Sequence, residues 1–266
     1  MNIIPKPVDA VMPAMPQMVI MVILGVLVVL SLIYALRMLS KGDNRMLILM
    51  FAGLFLTLEE GLAAFLIKVD HSPVGQYEAF EAFGVHVPWW MALLYIVFFG
   101  LGGYLMLKSF GTGVSGKAFW GTWLYLVVSE GAFEVYATHI GMLTYYGPQP
   151  MMIGGFPAYM GLVNATQALA FVLVARIWFA TFQGGTRWLL VPLAPLIAPG
   201  VFVFMILPLA SGLDSGNYAY AWAGAIASCI IATSLAALAL RGLRRIARIE
   251  GKGQTFAPLG TAPSAL

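Results

Sequence analysis

The chain reads as an all-α, polytopic membrane protein, a seven-transmembrane-helix bundle with its N-terminus outside and its C-terminus cytoplasmic. Three observations carry that reading. Of 266 residues, 61% are hydrophobic and only 9% are charged, against about 25% charged in an ordinary soluble domain. A mean hydropathy of +0.90 implies more apolar surface than one aqueous core of this length hides, so most of the chain faces lipid. Seven stretches reach the ~20 largely apolar residues that a spanning helix needs.

The first stretch, Met18 to Ser40, starts too far into the chain for a signal peptide. It also lacks a basic leader region and a small-residue cleavage site, so it is expected to stay in the mature protein. Met46 to Ile67 follows and carries Glu59 and Glu60. Trp89 to Leu107 is third, and its Gly100, Gly102 and Gly103 permit close helix contact. Ala118 to Ile140 carries Glu130 and Glu134. Ala158 to Phe182 is fifth, with Asn164 and Gln167 near its start. Trp188 to Ala210 holds Pro192, Pro195, Pro199 and Pro208, which break up the helix; a kinked helix can open a lateral gap to lipid, and packing irregularity alone explains them equally well. Tyr218 to Leu240 is seventh and contains the single cysteine, Cys229, which excludes an intramolecular disulfide and a thiolate metal site.

Orientation follows from where Lys and Arg lie in short loops. Arg37, Lys41 and Arg45 follow the first helix, Lys108 and Lys117 the third, Arg187 the fifth, and Arg241, Arg244, Arg245, Arg248 and Lys252 the seventh. The opposite loops hold Asp70, Glu78, Glu81 and Asp214. Trp89, Trp90, Tyr145, Tyr146, Tyr218, Tyr220 and Trp222 are expected to form an aromatic belt at the outer interface. The stretch Gln76 to Phe83 is read as a short interfacial helix, and His71 and His86 as surface groups. Residues 1–250 form one domain and 251–266 a disordered cytoplasmic tail. A net charge of +3, concentrated at the C-terminal end, is topological and argues against nucleic-acid binding. The sorting suits a bacterial inner membrane, and the expected partners are the bilayer and a lipophilic small molecule.

An ionisable side chain inside a span costs at least ~2.5 kcal/mol on insertion scales, so each one asks for a reason. Glu59 and Glu60 lie about 20 Å above the cytoplasmic start of their helix, and Glu130 and Glu134 at a comparable height. The latter two are four apart and share a face. Two carboxylates one turn apart in low dielectric cannot both ionise cheaply, so one of that pair is expected to hold a proton. Glu59 and Glu60 project about 100° apart, which suggests that at least one is structural. Asn164 and Gln167 come down to the same level. His139, five residues beyond Glu134, is either an interfacial group or a relay to water. The alternative to chemistry is that these polar groups tie helices together.

Several classes are excluded. Four axial histidines for a two-haem cytochrome and the histidine set of membrane desaturases are missing. The seventh helix has no lysine for retinal. Aspartate-rich diphosphate motifs are absent, and the prenyl-protein protease pattern fails because Ala64 stands where an arginine is required. Neither a metal nor a cofactor is expected.

The most distinctive stretch runs from Glu134 through Gly141, Tyr145-Tyr146-Gly147-Pro148 and Gly154-Gly155-Phe156-Pro157 to Asn164. It reads as a rigid re-entry loop able to cover a cavity. This segment of about 30 residues resembles the carotenoid hydratases of the bacterioruberin pathway, which run from a membrane Glu through Gly and Tyr to a Gly-x-Pro before a helix. The tryptophan expected after that proline is not in register here. Seven helices with intramembrane carboxylates are also similar to the membrane-integrated terpene cyclases. Those resemblances imply a cofactor-independent cyclase, hydratase or isomerase. Glu130 and Glu134, with Glu59 and Glu60, would supply acid–base groups. Tyr136, Trp123, Phe133 and Tyr159 would stabilise positive charge through their rings, beside Asn164, Gln167 and His139. The rival readings are a proton-coupled transporter, in which the same glutamates carry protons, and a non-catalytic lipid-binding or accessory subunit.

Overall fold

The structure, a computed structural model, describes residues 3–111 and 113–251. Among them run seven long helices: α1 (Ala14–Leu39), α2 (Arg45–Ile67), α3 (Trp89–Ser109), α4 (Gly116–His139), α5 (Tyr159–Thr181), α6 (Gly184–Asp214) and α7 (Tyr218–Ile249). All but α4 are long and apolar enough to cross a membrane. At 24 residues α4 has the length, but its sequence is diluted by Thr122, Ser129, Glu130, Glu134 and Thr138. The expected tail lies, after Gly251, outside the described residues.

The apolar residues pack as two clusters. One gathers at the basic end around Ile48, Leu49, Phe110, Phe119, Phe171 and Leu243. The other lies towards the opposite end around Trp90, Met142, Tyr159, Met205 and Leu209. They meet along α2 between Leu56 and Ala63, the stretch that carries Glu59 and Glu60. Glycines set two tight crossings between helices. A Cβ on Gly53 would sit 2.6 Å from the Tyr95 carbonyl oxygen, and one on Gly100 2.9 Å from the Met50 Cα, so α2 and α3 touch backbone to backbone. Gly212 and Gly224 do the same for α6 and α7, at 2.5 Å from the Tyr220 and 2.4 Å from the Pro208 carbonyl oxygens. Close approach through small residues replaces the hydrophobic drive that lipid cannot supply. The prolines do not break α6 as expected: its α-helical part runs unbroken from Leu190 to Asp214 through Pro195, Pro199 and Pro208.

Two helices change pitch within the bundle. In α2 the three residues Thr57–Glu59 tighten to a 3₁₀ turn, and in α3 the seven residues Ile96–Gly102 widen to a π-helix. Such segments inside a helix often mark a functional site.

Among the described residues six short strands fold at the acidic end: β1 (Val69–His71), β2 (Glu78–Ala82), β3 (Val85–Pro88), β4 (Leu143–Tyr145), β5 (Met152–Ile153) and β6 (Phe156–Pro157). They pair as β1–β4, β2–β3 and β5–β6, all antiparallel. The interfacial helix expected over Gln76 to Phe83 is instead the first arm of the β2–β3 hairpin. Its two-residue turn, Phe83-Gly84, has φ of 56° and 68°, the positive pair of a type I′ turn. Gly154-Gly155, with φ of 57° and 88°, closes β5–β6 in the same way. Residues before α1 strap this end, with Ile4 bridging to Gly147, Val11 to Val74, and Lys6 3.3 Å from Asp70. The aromatic belt is smaller than expected: Trp89, Tyr220 and Trp222 are exposed, but Trp90 and Tyr145 are buried.

Candidate functional site

All four glutamates line one cavity of about 270 Å³ between α2, α3, α4 and α5, which β1 and β4 cover from the acidic end. Carboxylates on α2 and α4 face each other because each lies on the inward stripe of its helix. Both Glu59 and Glu60 line the cavity, Glu59 closing the 3₁₀ turn and Glu60 opening the α-helical turn that follows it. Both are 6% exposed and Glu134 is 9% exposed.

Each carboxylate has one oxygen held by a donor on another element. Gln167 Nε2 on α5 donates to Glu59 Oε1 at 2.8 Å and to the Ala198 carbonyl at 3.2 Å, which joins α2, α5 and α6. Tyr95 Oη, at the start of the π segment's neighbourhood, donates to Glu60 Oε2 at 2.7 Å. Asn164 Nδ2 donates to Glu130 Oε1, and Tyr145 Oη to Glu134 Oε2 at 3.3 Å. Burial, and then the neighbouring Glu134, push the Tyr145 hydroxyl well above its usual range, so it stays a donor. The second oxygens of Glu59 and Glu130 are buried without a hydrogen-bond partner. A buried acceptor left unpaired is costly.

The cover explains what the sequence hid. In the β1–β4 ladder Val69 pairs with Tyr145 and His71 with Leu143. Alternation along strands puts these four side chains on one face, and all four line the cavity. His71, expected on the surface, is 1% exposed. Its Nε2 lies 3.2 Å from Glu60 Oε1, off the line of a ring N–H hydrogen bond, and its ring stands edge-on to Trp90 at 5.7 Å. Ser72 anchors the strand through its hydroxyl, which donates to the Gly141 carbonyl at 2.6 Å.

Of the expected site residues, Glu59, Glu60, Glu130, Glu134, Phe133, Asn164 and Gln167 line the cavity. His139, Tyr136, Trp123 and Tyr159 do not. Tyr136 is two residues past Glu134, about 200° round the helix, and is 53% exposed. His139 is exposed at the end of α4. Trp123 lies two turns below Glu130, where its Nε1 donates to Thr166 Oγ1 at 2.9 Å. Tyr159 is fully buried under the loop, with its hydroxyl donating to Gln149 Oε1 at 2.5 Å. Sequence reasoning missed His71, Tyr95, Tyr145 and the rings of Phe98 and Phe99. Tyr95 carried a usable signal, a hydroxyl deep in an apolar span.

One trio of metal-ligand type, Glu78, Glu81 and His86, sits outside this cavity on the exposed β2–β3 hairpin, where His86 Nδ1 already lies 3.0 Å from Glu78 Oε2. No family model, curated protein or solved structure matches the chain.

Proposed function

We propose that this is an integral membrane enzyme that carries out acid–base chemistry, namely cyclisation, hydration or double-bond isomerisation, on a lipophilic, isoprenoid-like substrate. The observation that carries this reading is one cavity, walled mainly by apolar and aromatic side chains, into which four carboxylates converge from two facing helices. Largely apolar pockets with a few convergent polar groups are the usual form of small-molecule sites. In this reading α4 is the seventh span, the termini lie on opposite sides, and the basic end faces the cytoplasm of a bacterial inner membrane.

For a hydration, a proton passes from the Glu130–Glu134 pair to one alkene carbon, and the positive charge left on the other carbon faces the rings of Phe98, Phe99, Phe133 and Tyr95. Water adds to that carbon and its proton goes to a carboxylate on α2, so one water is added overall. Loss of a different carbon-bound proton to the same base gives an isomer. Attack by a second alkene before that proton is lost closes a ring.

Mass spectrometry of lipids that co-purify with the wild-type chain and with Glu134→Gln tests the proposal. A defined lipophilic species enriched in the variant supports it. Bulk phospholipid alone in both samples, or full turnover in both Glu130→Gln and Glu134→Gln, removes it. The pitch changes in α2 and α3 beside the glutamates favour one rival, a proton-coupled transporter. That reading requires proton flux in sealed vesicles which Glu59→Gln stops.

A further inference from the structure

The lining of the glutamate cavity is one-sided. Among the described residues it carries four carboxylates and no Lys or Arg, and its one basic side chain is His71. That residue comes from the cover and not from a span. It closes β1 opposite Leu143, is 1% exposed, and packs its ring against the edge of Trp90.

The carboxylates are not equally served by donors. The second oxygens of Glu59 and Glu130 have no hydrogen-bond partner, whereas Glu60 is bracketed. Tyr95 Oη donates to its Oε2 at 2.7 Å, and His71 Nε2 stands 3.2 Å from its Oε1. Both ring nitrogens of His71 are buried and otherwise without a partner. The ring N–H lies off the line to Glu60, as is common in a site that tightens only around its substrate. Which nitrogen of a histidine bears the proton follows from its neighbours, and the neighbour of Nε2 is a carboxylate oxygen. A carboxyl group that accepts at both oxygens has no proton of its own to give.

We infer that His71 donates from Nε2 to Glu60 and is the positioning residue that makes Glu60, not Glu59, the base on α2. The inference rests on the acid–base reading above and assigns the acceptor that reading leaves open. When water adds to the cationic carbon, an O–H bond of that water breaks and its proton goes to a lone pair of Glu60 that the two donors leave free. When the product is an isomer, a C–H bond breaks and the same oxygen takes the proton. The Glu130–Glu134 pair has given one proton to the alkene, and the proton on Glu60 returns to that pair to close the cycle. His71 keeps its own proton throughout and acts on the substrate only by aiming Glu60.

The first test is magnetic resonance of the full chain in detergent, labelled with nitrogen-15 at its 3 histidines. The signals that disappear in His71→Gln belong to His71. Its Nε2 is expected to bear a proton, with a shift that Glu60→Gln moves and Glu59→Gln does not. A bare Nε2, or a signal indifferent to Glu60→Gln, overturns the inference. The second test takes as its probe the lipophilic species that co-purifies with Glu134→Gln. His71→Gln is expected to convert it about 10²-fold more slowly than wild type. The double variant of His71→Gln with Glu60→Gln is no slower than Glu60→Gln alone, because the two residues act as one unit. Wild-type conversion by His71→Gln, or a further loss in the double variant, overturns the positioning role. Absence of any such species in Glu134→Gln removes the acid–base reading and this role with it, whereas the nitrogen signals answer to the pairing alone. His71→Asn takes the place of His71→Gln if that variant does not fold.

Discussion

Asp43 shows how much one pair can do at a membrane edge. Its carboxyl is held near 2 by the Arg45 hydrogen bonds, against an ordinary value near 4. The folded value is depressed, so its stabilisation is present above the unfolded value and is lost as pH falls from about 4 to 2. Asp43→Asn therefore lowers Tm at pH 7, and the gap from wild type closes in acid, as thermal scans across that range will show. Gln149 makes a second residue-scale case. It is 4% exposed, donates to the Ile67 and Tyr146 carbonyls at 2.7 and 2.9 Å, and accepts from Tyr159. Gln149→Ala leaves these groups unpaired and costs roughly 1–3 kcal/mol, read as a Tm drop of about 5 °C. The glutamates, Asn164 and Gln167 were legible in the sequence because an ionisable or amide group in an apolar span is an expensive exception. His71 was not legible: its burial comes from pairing with Leu143, 72 residues further on, and short strands in loops leave no periodic trace long enough to read.

Elements meet here through backbone as much as through side chains. Gly53 presses against the Tyr95 carbonyl, and Tyr95 holds Glu60, so the α2–α3 crossing and the cavity share a strut. Gly53→Ala puts a Cβ where only 2.6 Å is free. It is expected to cost about 1–3 kcal/mol and to weaken turnover as well as lower Tm. Gly25→Ala, with nothing within 4 Å of the added carbon, leaves both unchanged. Long helices were legible because twenty apolar residues admit one structure in lipid. Their pitch changes were not, since a 3₁₀ turn and a π segment answer to packing across the bundle. The hairpins escaped for a related reason. Glu-Ala-Phe-Glu-Ala spaces its residues in a way that suits either state, and the deciding signal was the Phe83-Gly84 turn.

For the whole molecule, the count of crossings is decided by α4. Six crossings leave both ends of the chain on one side of the membrane, and seven put them on opposite sides. Reporters fused after Leu266 and thiol labelling of a cysteine placed at Lys6 distinguish these outcomes, and opposite sides are expected. At the acidic end Lys6 and Lys68 are each met by a carboxylate, Asp70 at 3.3 Å and Asp214 at 2.9 Å. The Gln167–Glu59 hydrogen bond spans 108 residues. At a synthesis rate of about 5–20 residues per second, α2 waits some 5–20 s after it emerges before its partner exists. Throughout that interval Glu59 is without the Gln167 amide, although α3 meets α2 much earlier. A chain stopped between α3 and α5 therefore has α2 braced by Tyr95 while Glu59 still lacks its amide.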